Sequence, residues 1–178
     1  MKELTIDYLK QIGPRYSLSN SLVMNTNAHN QMSQGKQLRL LVQSIVTFSS
    51  DEQLKKFLNN ELLNLTKTDL LDIFGWKKPN LGELSSALSS LFWNNSLNFS
   101  NVEIQFIYLM LWRLYNESFK APTRKTDCIS IVGLIKSQTI NDTSLRKKIA
   151  LALLEIDYLD YFNPEDYKKE LFEITIGI

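Results

Sequence analysis

Histidine and cysteine each occur once in this chain, as His29 and Cys128. A single cysteine excludes an internal disulfide and a cysteine-based zinc site. A single histidine excludes HExxH and any histidine-rich metal centre. A reducing compartment suits such a chain, and a cytoplasmic location is the expectation. Charge of one sign is missing too: 20 Lys and Arg stand against 19 Asp and Glu, for a net charge of +1. That balance supplies no global field for nucleic acid or for an anionic membrane. Glycine and proline are scarce, at 6 and 4 in 178 residues. A β-sandwich needs a turn signal roughly every 8–12 residues, so helices joined by polar loops fit better.

Long hydrophobic runs are also absent. The most apolar stretch is "FIYLMLWRLY", residues 106–115, bounded by Glu103 and Gln105 and interrupted by Arg113. A membrane-spanning helix needs about 20 apolar residues, so no membrane segment is expected. The opening "MKELTIDYLKQIGPRYS" carries Glu3 and Asp7 and has no continuous apolar core, which does not read as a secretory signal. Without one, the Asn-x-Ser/Thr triplets at Asn64 and Asn116 carry little meaning.

With 44 % hydrophobic and 22 % charged residues, the composition is that of an ordinary globular protein, and one helical domain over residues 1–178 is expected. The fold class is all-α: a single compact domain of about seven to eight helices around a central apolar helix, residues 101–118. Leu4, Tyr8 and Ile12 form a short stripe that Gly13-Pro14 ends. Residues 13–36 are rich in Ser and Asn and read as a long loop. Over residues 36–49, Leu38, Leu41, Val42, Ile45 and Phe48 recur at helical spacing. Ser50 with Gln53 forms a capping box for a helix that turns Leu54, Phe57, Leu58, Leu62 and Leu65 inward. A short helix follows Thr66 and ends at Gly75, and an amphipathic segment beginning at Asn80 turns Leu84, Ala87, Leu88, Leu91 and Phe92 inward. Ser100 and Glu103 cap the central helix in the same way. After the basic loop "KAPTRKT", Asp127 starts a helix through Ile135. Thr143 or Asp142 caps a long one, "SLRKKIALALLEIDYLDYF", and Asn163 caps the last with Pro164 as its first helical residue. The terminal "FEITIGI" is the one strand-like run, too isolated to form a sheet.

Catalytic groups are thinly represented. His29 sits in the polar loop, in "NAHNQ", with no acid or nucleophile motif around it and reads as solvated. Gly35-Lys36 lacks the earlier glycine, the following Ser or Thr and the preceding strand of a phosphate loop. Asp69 with Asp72, and Asp157 with Asp160, are spaced to share a cation, but charged helix faces are ordinarily solvated. Cys128, beside Ile129 and Ile131, reads as a packed residue. No catalytic residue, cofactor or metal is therefore expected.

Two charged features remain. Lys120, Arg124 and Lys125, joined in space by Arg146, Lys147 and Lys148, would make a basic surface for nucleic acid; no aromatic residues interleave with it and no helix-turn-helix pattern accompanies it. The other is "EIDYLDYFNPEDYKKELFE", residues 155–173, with seven acidic residues against two lysines. There Asp157, Asp160, Glu165 and Asp166 alternate with Tyr158, Tyr161 and Tyr167. Carboxylates steer a basic partner and tyrosines supply rigid contact area, although tyrosines at helical spacing also pack inward and acidic first turns complement helix dipoles. The expectation is a non-enzymatic binding protein whose acidic surface covers a basic protein, such as a bacterial toxin or nuclease neutralised in the manner of an immunity protein. A nucleic-acid-associated regulator or helical adaptor is the alternative.

Overall fold

The computed structural model describes residues 3–14, 33–76, 78, 80, 82, 83, 86, 87, 90–92, 98–115, 124–138 and 143–177. Helix starts follow local hydrogen bonds. In α1 (Ile6–Ile12) the Thr5 hydroxyl accepts from the Tyr8 N–H. In α2 (Gln34–Phe48) Ser33 does the same for Lys36. Reciprocal capping boxes open α3 (Asp51–Asn60), through Ser50 and Gln53, and α4 (Lys67–Phe74), through Thr66 and Asp69. Gly75 closes α4 at φ +72°, a left-handed turn that costs glycine nothing. A 3-10 turn, Leu62–Asn64, joins the two. Residues 82, 83, 86, 87 and 90–92 are helical, and Asn80 Oδ1 accepts from the Glu83 N–H at their start. Then come α5 (Asn101–Tyr115), α6 (Arg124–Gln138), α7 (Thr143–Leu154), a second 3-10 turn (Asp160–Phe162) and α8 (Glu165–Thr175). No strand occurs among the described residues, and the fold is all-α.

The apolar stretch of α5 is the middle of the molecule. Residues 104–113 are all buried, because α3 and α7 pack on this helix with α6 and the first 3-10 turn beside them. Phe106 meets Phe57 edge-on at 5.5 Å, Tyr108 meets Phe92 at 5.8 Å, and Trp112 meets Phe162 at 5.5 Å. Each fully buried Leu, Ile or Phe contributes roughly 1.5–3 kcal/mol of transfer free energy. No helix among the described residues is long and apolar enough to cross a membrane.

Several boundaries differ from expectation. Arg124, not Asp127, is the first residue of α6. Pro164 is the cap of α8 and Asn163 precedes it, and the strand-like terminus is helical through Thr175. Phe48 is 70 % exposed; Val46 fills the inward position instead. Ile6, Leu9 and Ile12 are the inward residues of α1, Leu4 is buried just before it, and Tyr8 is half-buried. The long loop was expected to run to residue 36, but Ser33 already caps α2; residues 15–32 lie outside the described residues, as do Leu84 and Leu88.

The largest difference is the end of α7. The helical period in "ALALLEIDYLDYF" continues to residue 162, yet the helix stops at Leu154. The Glu155 and Ile156 N–H groups turn back to the Ala152 and Leu153 carbonyls at 3.3 and 3.2 Å, tightening the last turn. Lys168 Nζ then donates to the carbonyl oxygens of Leu154 and Ile156 at 3.4 and 3.2 Å, taking acceptors that continued helix would have used. Burial lowers the Lys168 pKa, while the charge of Asp157 acts to raise it.

At the opposite edge, Lys10 of α1 pairs with Asp69 of α4 at 2.8 Å and with Asp72 at 3.8 Å. Burial alone would raise the Asp69 pKa. The hydrogen bond from Lys10 and those from the N–H and hydroxyl of Thr66 outweigh it, so the carboxyl titrates below its ordinary value. A depressed carboxylate stabilises the fold fully above its unfolded pKa, and that contribution is lost as pH falls through the folded value. Asp69→Asn is accordingly expected to be less stable than wild type at neutral pH, with the gap closing between about pH 5 and about pH 2. Urea titrations across that range check it; a gap independent of pH contradicts the ion pair.

Candidate functional site

The acidic residues singled out in the sequence lie on the connector between α7 and α8, which includes the second 3-10 turn, and in the first turn of α8. Asp157, Asp160, Glu165 and Asp166 are all exposed. Glu165 and Asp166 stand beside the positive end of the α8 dipole, which favours negative charge there.

Their tyrosines are anchors to differing degrees. The Tyr158 hydroxyl donates to Gln105 Oε1 at 2.6 Å, and Gln105 Nε2 donates to the Ala152 carbonyl oxygen at 2.7 Å. Gln105 is buried on α5, so the connector is tied through one amide to the central helix and to α7. Burial, then the charges of Asp157 and Asp51, push the Tyr158 pKa far up and keep the hydroxyl a donor. Lys55 Nζ lies 5.3 Å from the Tyr158 ring centroid. Tyr161 is half-buried, its ring edge-on to Phe162 at 5.2 Å, and its carbonyl accepts a weak bond from Cys128 Sγ at 3.5 Å. Tyr167 does not face a partner: it is wholly buried. It occupies the same inward stripe as Leu171 and Ile174, spaced i, i+4, i+7, a period that "YKKELFEI" already carries.

The fold enlarges the acidic surface with residues far away in sequence. Ser100 Oγ donates to Asp51 Oδ1 at 3.2 Å, and Asn101 donates to Glu155, so the starts of α3 and α5 and the end of α7 meet at one end of the bundle. Exposed Asp51 and Glu155 therefore border Asp157. Nothing local in the sequence links Asp51 to residues a hundred positions on. Among the described residues no group of three His, Cys, Asp or Glu is arranged to hold a metal ion.

The backbone places the described residues of the expected basic surface at the two ends of α6. Arg146 Nη2 donates to the Lys136 carbonyl at 3.3 Å, placing Arg146, Lys147 and Lys148 beside the end of α6. Arg124 and Lys125 begin that 15-residue helix, roughly 18 Å of helical rise from Lys136. Lys120 and His29 lie outside the described residues. The N-terminus of α2, where Gly35-Lys36 faintly resembled a phosphate loop, already holds an anion of its own: Glu83 Oε1 accepts from the Gly35 N–H at 2.7 Å. Cys128 is fully buried. No family model, curated protein or solved structure is found to match this chain.

Proposed function

We propose that this chain is a non-enzymatic, cytoplasmic binding protein whose acidic end covers a basic surface of another protein. Its most concrete form is a small inhibitor that neutralises a bacterial toxin or nuclease, as an immunity protein does, by sitting over a cationic active site. The observation that carries the reading is the convergence of exposed Asp51, Glu155, Asp157, Asp160, Glu165 and Asp166 at one end of the bundle, on backbone held through Gln105 and Tyr158. Carboxylates on a rigid frame attract a basic partner without an ordering cost on binding. Tyr158 and Tyr161 offer partly exposed rings among them, whereas Tyr167 supports the surface from below.

The test begins with capture of the partner from native cells and continues with purified proteins. Calorimetry with the captured partner is expected to show binding that weakens with salt. The variant with Asp157→Asn, Asp160→Asn, Glu165→Gln and Asp166→Asn together should bind at least about tenfold more weakly. Equal affinity for the variant, or recovery of nucleic acid alone, would refute the proposal; inhibition of a captured toxin at one-to-one ratio would establish the inhibitor form.

A further inference from the structure

The outer face of the α7–α8 hairpin carries large apolar side chains that the core does not enclose. Leu151 is 53 % exposed, Phe172 56 % and Ile176 54 %. The two helices run antiparallel. Lys168, near the start of α8, reaches the carbonyls at the end of α7, and a Cβ on Gly177, beyond the end of α8, would lie 3.9 Å from Lys147 Nζ. That register sets Phe172 level with Leu151 and Ile176 level with Lys147. At 3.6 residues per turn, Leu151 lies about 40° round α7 from Lys147, and Phe172 about 40° round α8 from Lys168. Both therefore stand at the outer rim of the seam between the helices, and the three apolar side chains form one patch.

Charge changes sign along this face. Lys147 and Lys148 lie one turn from Leu151 towards the start of α7; towards its end, exposed Glu155, Asp157, Glu165 and Asp166 outnumber Lys168 and Lys169. A partner of uniform charge meets repulsion at one end of such a face, whereas a reversed copy of the face meets attraction at both. We propose that this surface is the contact of an antiparallel homodimer. A two-fold axis crossing both helices at the level of Leu151 and Phe172 sets α7 on α7 and α8 on α8. It seats Leu151 and Phe172 each on its own copy and brings Lys147 and Lys148 over the partner copy's acidic end at Glu155. Ile176 then meets the Lys169 stem, which lies along it while the ammonium stays in water.

The face is about 18 Å long and about 20 Å wide, from helix rise and diameter, below the usual size of a stable interface. The dimer is therefore weak, with a dissociation constant in the micromolar range or above. It adds to the proposed function rather than resting on it.

Sedimentation equilibrium of the wild-type chain from about 1 μM to about 500 μM is expected to show the mass rising from 20.6 kDa towards twice that value. Phe172→Glu, at an exposed position that leaves the fold intact by circular dichroism, should weaken self-association at least about tenfold. Phe48→Glu, on α2, should leave it unchanged. Lys148→Glu and Glu155→Lys should each weaken the dimer, and the two together should restore it. A wild type that stays monomeric throughout, or a dimer indifferent to Phe172→Glu, overturns the proposal. Because Phe172→Glu leaves every acidic residue in place, loss of the dimer and loss of the basic partner are separately readable.

Discussion

Gly13→Ala is expected to destabilise the protein by about 3 kcal/mol, at the upper end of overpacking costs, or to release α1 from the domain. A Cβ on Gly13 would stand 2.0 Å from the Ile73 carbonyl oxygen and 2.5 Å from Ile73 Cγ2. The nearest atom is backbone within α4, which cannot rotate away as a side chain would. Gly13 has φ −51° and ψ −44°, ordinary helical angles at which alanine is intrinsically favoured by about 1 kcal/mol. Propensity thus predicts stabilisation and the contact predicts the reverse, and an overlap of more than 1 Å decides between them. If α1 detaches, Leu4, Ile6, Leu9 and Ile12 leave the core and the Lys10–Asp69 pair breaks with them. Thermal melting combined with hydrogen exchange at the α1 amides distinguishes a strained domain from a detached helix. An unchanged or raised melting temperature would mean that α1 and α4 are not this close.

Arg113→Met should lower stability by a similar amount, with a melting temperature about 6–12 °C below wild type. Arg113 is the largest wholly buried side chain among the described residues, and it sits at the end of an otherwise apolar run. Its Nε donates to the Leu65 carbonyl oxygen and its Nη2 to that of Leu63, both at 3.1 Å. These carbonyls close the 3-10 turn and lead into the Thr66 cap of α4, so one guanidinium fastens the central helix to the link between α3 and α4. Methionine fills most of the volume but leaves two inward carbonyls without these donors, at roughly 1–3 kcal/mol each. Relief from burying a charge offsets part of that loss. Arg113→Lys, a point donor on a longer tether, should fall between the two because it reaches one carbonyl at a time. Methionine and lysine variants that melt with wild type would contradict this role.

The parts of this fold that were legible in the sequence depend on neighbours three or four residues apart. The boxes at Ser50 with Gln53 and Ser100 with Glu103 form as written, since both partners travel on the same turn. The burial of "FIYLMLWR", residues 106–113, follows from a helix with no polar side to show to water. The end of α7 was not legible, because the residues that stop it arrive from elsewhere: Gln105 holds Tyr158, and Lys168 takes the carbonyls of Leu154 and Ile156. Gly13 was legible as a helix stop but not as a point of contact, since Ile73 is sixty residues away. For the acidic surface, exposure of Asp157, Asp160, Glu165 and Asp166 could be read from charge alone. The burial of Tyr167 and the arrival of Asp51 needed the packing of α8 and α3.

Gln105 has a consequence for how such a surface can change. Its amide donates on one side to the Ala152 carbonyl and accepts on the other from the Tyr158 hydroxyl. Glutamate, nearly the same shape, would set a second acceptor against Ala152; leucine would leave both neighbours unanswered. The frame is thus written in large part in a buried residue beneath the surface rather than in the carboxylates that form it. A substitution at exposed Asp157 leaves the Gln105 bonds in place, and freedom at the rim is secured by constraint at the centre.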